Sequence, residues 1–167
     1  MKKLLVIVVM AMACISSLTA QTTDKRLLGV WVMESMQFDG EEKILCGSKE
    51  TPYTQFKFYG ADGEYACAEI VRQENGEFVV IPHEYGTYTY KNGVYSEMGR
   101  PAVAKEDMVL VDKNTFKGRW ANRNDVWKKK TNLSKETIDY IITLCKMAKQ
   151  KPSAEVQKSI EQSMFSR

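Results

Sequence analysis

The side chains able to do chemistry are few. The one histidine, His83, sits in Ile81-Pro82-His83-Glu84. Any histidine-based triad would have to use it, yet the stretch reads as a turn between strands, where an exposed histidine is ordinary. Glu69 and Glu97 would form an acid–base carboxylate pair if both pointed inward. Otherwise each is an exposed strand residue or a polar group in a barrel lumen. Cys46, Cys67 and Cys145 follow Cys14 along the chain. No two of them are two to four residues apart, so with a single histidine they make no zinc site. Cys67, flanked by Ala66 and Ala68, has no basic neighbour in sequence and reads as a buried, inert thiol. Gly60-Ala61-Asp62-Gly63 lies between strands and not before a helix, so it is no phosphate-binding loop. No catalytic residue, metal or cofactor is expected.

Aromatic residues carry the stronger pattern. Tyr53, Phe56, Phe58, Tyr59, Tyr65, Tyr85, Tyr88, Tyr90 and Tyr95 crowd into a few short segments. By strand parity Tyr88 and Tyr90 share a face, and so do Tyr95 and Glu97 beyond Asn92-Gly93. Pairing across that turn would assemble three tyrosines and a glutamate. A tyrosine has an apolar body and a polar tip, which suits the mouth of a ligand pocket. The alternative is that these rings fill a small barrel that has no cavity. Tyr88, Tyr90, Tyr95, Glu97, Phe58 and Tyr65 are the candidate ligand contacts.

The elements that must position them are mostly strands. Asp62-Gly63, Asn75-Gly76 and Asn92-Gly93 read as type I′ hairpin turns, each flanked by β-branched or aromatic residues. About nine strand candidates follow, from Leu28–Phe38 to Val126–Lys129. They include separate strands at Glu77–Ile81 and Gly86–Tyr90. Sequential strands joined by tight turns make an antiparallel up-and-down meander, and closing it into a barrel removes both edges. On the first strand Trp31, Met33 and Ser35 share one face, with Val30, Val32 and Glu34 on the other. Both faces are apolar near Trp31, so something should cover the outside there.

The tail is helical. Ser134 is a good N-cap, and Leu133 can pack on Ile138 as a hydrophobic staple. Ile138, Ile141, Ile142, Cys145 and Ala148 fall on one helical face. A second helix is expected from Ser153, with Val156, Ile160 and Met164 on one face.

Residues 1–20 read as a signal peptide. Lys2 and Lys3 precede a short apolar run, Leu4 to Ala13, and Ala20 offers a small residue at the cut. A lipoprotein attached at Cys14 is the alternative. Cleavage leaves about 147 residues, enough for one domain with a real core. It also leaves about 22 basic residues against 21 acidic ones, a balance that points to no nucleic-acid partner. The expected division is 1–20 signal peptide, 21–130 barrel and 131–167 helical extension packed on it. In an oxidising compartment one disulfide could form among Cys46, Cys67 and Cys145, with Cys46 to Cys67 favoured because both lie in the strand-rich part.

Four elements in order carry a resemblance: Leu28-Gly29-Val30-Trp31, Gly86-Thr87-Tyr88, Tyr95-Ser96-Glu97 and Asp125-Val126-Trp127-Lys128. Together they resemble the lipocalin superfamily over residues 27 to 130. The chain is more similar still to a lipocalin-like family of secreted proteins from Gram-negative gut bacteria, whose function is unknown. The resemblance implies a β-barrel in which Gly29, Trp31 and Trp127 belong to the closed end. It also implies a basic residue over Trp31, either Lys128 or Arg119, in a cation–π contact. It further implies a secreted or periplasmic, non-catalytic binding protein for a small, partly hydrophobic ligand. The alternatives are an envelope interaction or assembly module that uses the C-terminal helices to hold a protein partner, and last an enzyme using lumen carboxylates. If the signal peptide is cut after Ala20, the intact mass of the exported protein corresponds to a chain starting at Gln21. A lipid-modified mass starting at Cys14 would overturn that.

Overall fold

The computed structural model describes residues 24–91, 94–98 and 104–149. Its strands are β1 (Gly29–Phe38), β2 (Ile44–Leu45), β3 (Tyr53–Tyr59), β4 (Glu64–Arg72) and β5 (Phe78–Lys91), followed by β6 (Val94–Met98), β7 (Ala104–Asp112), β8 (Thr115–Trp120) and β9 (Arg123–Lys130). One helix, α1 (Lys135–Lys149), follows. Successive strands from β3 to β9 pair with their neighbours, and β1 pairs with both β3 and β9. The result is a closed, antiparallel, up-and-down barrel of eight strands, with the short β2 added along β1.

The hairpins differ from expectation. Gly63 and Gly76 carry positive φ (83° and 85°), whereas Asp62 and Asn75 do not. Gly63 N–H donates to Gly60 O at 3.2 Å and Gly60 N–H to Glu64 O at 2.8 Å. Gly76 and Gln73 repeat the pattern with Gln73 O and Glu77 O, at 3.0 and 2.8 Å. Both are three-residue loops ending in a glycine bulge, not type I′ turns. The acidic or amide side chain explains the choice, because Asp62 and Asn75 each accept the N–H two residues on at 3.0 Å. The Asn92-Gly93 turn and the second tail helix lie outside the described residues.

Two register shifts also correct the sequence reading. Ile81–Glu84 is not a turn but the middle of one long strand, β5. Cys67 lies opposite Glu84 and Ala68 opposite Pro82, so His83 is the extra residue of a bulge. A proline has no N–H to give the ladder, and a bulge tolerates that. In β1, Met33 lies opposite Trp127 and Ser35 opposite Val126, so Glu34 bulges. Parity flips there. Trp31, Met33 and Met36 belong to the inner core, and Ser35 leaves the face that alternation assigned it.

The barrel closes at the end where β1 begins. Trp31 is fully buried, and its Nε1 donates to Leu27 O at 2.7 Å. The cation over its ring is Lys129, with Nζ 5.2 Å from the centroid and donating to Arg26 O at 3.0 Å. This corrects the assignment to Lys128 or Arg119. Lys129 faces Trp31 directly across the β1–β9 ladder, while Lys128 is one residue off and bonds Thr115 Oγ1 at 2.9 Å. Arg119 lies at the other end, paired in two-pronged fashion with Asp39 at 2.9 and 2.6 Å. Burial lowers the pKa of Lys129, and the contact is worth about 0.5–2 kcal/mol. Gly29 reaches this corner at φ 109° with Lys129 Cε 3.5 Å from where a Cβ would stand.

A second core lies outside the barrel. Val30, Phe56, Ala66 and Ala68 face Ile141, Ile142 and Cys145 of α1, with Phe58, Tyr85, Leu133 and Ile138 around them. The alanines keep the sheet surface low, and Cys145 Sγ reaches Cys67 O at 3.3 Å. Ser134 Oγ caps the helix by accepting Thr137 N–H at 3.1 Å. Each isoleucine buried here contributes about 1.5–3 kcal/mol. Ala148 lies beyond this contact and is exposed. Cys46, Cys67 and Cys145 are all free thiols, so the Cys46–Cys67 bond is not formed. Gly29→Ala is expected to cost roughly 1–3 kcal/mol in urea unfolding, because its φ is one that side chains resist. An unchanged midpoint would show the backbone can relax.

Candidate functional site

Inward residues of five strands meet halfway along the lumen. The β5–β6 ladder sets Tyr88 opposite Glu97 and Tyr90 opposite Tyr95, the register expected of the tyrosine–glutamate group. On β3, parity turns Tyr53, Lys57 and Tyr59 inward and Phe56 and Phe58 outward. On β4 it turns Tyr65 and Cys67 inward.

At the centre lies a buried ion pair. Lys57 Nζ stands 2.7 Å from Glu97 Oε1, and both side chains are less than a tenth exposed. Tyr95 OH donates to the same oxygen at 2.7 Å, and Tyr65 OH reaches Oε2 at 3.2 Å. The Tyr65 hydroxyl also bonds Glu84. The Lys57 ammonium stands over two rings, 5.3 Å from the centroid of Tyr95 and 5.0 Å from that of Trp127. Burial pushes the Glu97 carboxyl up, but the charge of Lys57 and the hydrogen bonds outweigh it, holding the group below the usual carboxylate range. Burial raises the hydroxyls of Tyr65, Tyr88 and Tyr95, which stay protonated donors. Burial pushes the Cys67 thiol up to about 12, against the opposing charge of Lys57, so it is no nucleophile at neutral pH.

Around this centre the lumen is aromatic. The Tyr59 ring lies 4.8 Å from Tyr88, 5.7 Å from Tyr95 and 6.4 Å from Tyr65. Phe116 stacks on Trp127 at 5.5 Å and tilts against Trp31 at 4.8 Å. Tyr88 OH reaches back to Gly60 O at 3.2 Å, tying the floor to the β3–β4 turn. At the end of the barrel away from Gly29, Asp125 is buried and held by Arg123 through two bonds of 2.8 and 2.9 Å, and Arg123 lies over the Trp120 ring. Cys46 and Tyr53 are half-buried at this end.

Of the sequence-derived ligand contacts, Tyr65, Tyr88, Tyr95 and Glu97 come together here, and Tyr90 is half-buried beside them with its hydroxyl on Met108 O at 3.4 Å. Phe58 is not among them, because it packs on the outer face near α1. Glu69 sits 3.5 Å from His83 at a partly exposed site, so the carboxylate that shares a tyrosine with Glu97 is Glu84, not Glu69. Lys57 and Glu84 escaped the sequence reading, and Tyr59 was counted in the aromatic pattern but not among the ligand contacts. The alternation Tyr53-Thr54-Gln55-Phe56-Lys57-Phe58-Tyr59 was the available clue to Lys57 and Tyr59. Trp127, assigned to closure, belongs to the central layer beside Lys57.

Eight antiparallel strands in chain order, closed β1 on β9 and followed by a helix, define a lipocalin-like barrel. No family model and no curated protein matches the chain. Among solved structures it is similar to a lipocalin-like protein from Bacteroides uniformis ATCC 8492, at 12% identity over 63% of this chain and 99% of that one, with TM-score 0.48. It is also similar to an uncharacterized protein from Bacteroides eggerthii DSM 20697, at 11% identity over 62% and 99%, with TM-score 0.47. A third is a deswapped triple mutant of bovine odorant binding protein, at 12% identity over 74% and 87%, with TM-score 0.37.

Removing one member of a buried pair strands the other charge. Glu97→Gln is therefore expected to cost roughly 3–5 kcal/mol at pH 7 in urea unfolding. Because the folded carboxyl is held below 4.5, its usual value, the wild-type stabilisation is complete above that pH and drains away as pH falls through the lower folded value. E97Q should flatten this acid limb. Equal acid sensitivity in both chains would remove Glu97 as its source.

Proposed function

We propose that this chain is a secreted or periplasmic, non-catalytic carrier of a small, partly apolar molecule, exported after cleavage near Ala20. The observation that carries the reading is a mostly aromatic lumen with one buried polar centre, the Lys57–Glu97 pair with its tyrosine partners. Small-molecule sites have this composition, a largely apolar wall with a few placed polar groups that fix orientation. A buried ion pair is also a poor means of stabilisation compared with apolar side chains of the same size. Its place in the lumen of a small barrel supports a role in recognition. The name of the bovine neighbour, an odorant binding protein, accords with a small-ligand carrier.

The test is native mass spectrometry of the protein purified from its own cell envelope, before and after mild denaturation. A small molecule released at near-equal stoichiometry is expected. Restoring that molecule at a hundred times its Kd should stabilise the chain by about 2.7 kcal/mol. A bare chain whose melting temperature no envelope extract raises would sink the carrier reading.

A further inference from the structure

We propose that the indole Nε1–H of Trp127 anchors the bound molecule, and that this molecule carries a neutral acceptor oxygen, as a ketone, ester or alcohol does, on an apolar body. The inference rests on the carrier reading and names its ligand class. Trp127 is 1% exposed, and its Nε1 has no hydrogen-bond partner among the described residues. The other buried tryptophan is satisfied, since Trp31 Nε1 donates to Leu27 O at 2.7 Å. A buried donor left unpaired asks for an explanation, and indole Nε1–H can only donate, so its partner must be an acceptor.

The surroundings choose among acceptors. Lys57 is the cation near Trp127, 5.0 Å from its ring centroid, and it is closed into a pair with Glu97 at 2.7 Å. A ligand carboxylate would meet Glu97 with no net positive charge to offset it, and would lose its water as well. A ligand ammonium would find faces of Tyr95 and Trp127 already occupied by Lys57. A water molecule needs two to four polar partners. Phe116 stacks on the indole and Met33 lies opposite Trp127 across the β1–β9 ladder, and neither supplies one; the polar neighbour, Lys57, is paired with Glu97. A neutral oxygen on an apolar skeleton satisfies the donor and the apolar walls together.

The test uses four probes of similar size on the mature chain: acetophenone, ethylbenzene, benzoate and benzylammonium. The readout is the indole Nε1–H resonance of each tryptophan in ¹H–¹⁵N spectra, assigned by elimination with W120F, W31F and W127F. Acetophenone is expected to move the Trp127 resonance downfield and to bind about tenfold or more tightly than ethylbenzene. In W127F that preference should vanish while ethylbenzene binding persists. The shift is read on the wild-type chain, so it decides the matter even where W127F fails to fold. Probes that bind without moving Trp127, or a preference for benzoate or benzylammonium, overturn the inference and leave the carrier reading standing. Absence of binding by all four overturns it too, and the carrier reading falls with it only if the native mass spectrum is also bare.

Discussion

The structure depends on the ladder between β1 and β9. A meander of this length has two raw edges, and each would present unpaired N–H and C=O groups to any passing strand. Pairing Val30 through Phe38 with Lys130 through Arg123 removes both at once. Closure also creates an inside. Trp31, Met33 and Met36 from the first strand meet Phe116 and Trp127 from the last two, which are distant in sequence. The bulge at Glu34 belongs to the same constraint, because it lets β1 keep pairing while its inner face changes parity. β2 then takes up the free edge of β1 where β3 departs, and Cys46 N–H donates to Glu34 O at 3.0 Å.

Closure makes the lumen a place of low dielectric, and that sets the terms for Lys57 and Glu97. Two charges removed from water are tolerable only when each is answered at short range. Glu97 is answered on one oxygen by Lys57 and Tyr95, and the hydroxyl of Tyr65, shared with Glu84, lies 3.2 Å from the other. The tyrosines serve twice, as wall and as donor, which explains why the aromatic lumen is rich in tyrosine. The outer face solves a different problem. Ala66 and Ala68 let α1 lie close over β4 and β5, so the apolar outer side of these strands is covered by the chain's own helix.

Much of the fold was legible. Alternation and turn residues located nearly all the strands, and the cap at Ser134 with the Leu133–Ile138 staple located the helix. The tyrosine–glutamate register across β5 and β6 was legible because a tight hairpin leaves few registers. The misses have a few physical causes. The bulges at Glu34 and His83 and the choice of Lys129 over Lys128 depend on the opposing strand, which local pattern does not reveal. Phe58 was misplaced because its apolar neighbourhood is the outer face under the helix. Lys57 was missed because a lysine between two phenylalanines reads as the solvated side of a strand.

The sequence by itself determined the antiparallel meander and the amphipathic helix, because strand alternation, turn chemistry and helix capping act over a few residues. Only the tertiary structure decided which face of each strand became the inside, which lysine covers Trp31, and that Lys57 meets Glu97 across forty positions of chain. Those outcomes follow from ring closure and strand register. Both are set by many weak contacts acting together over long separations, and no short stretch of residues carries them.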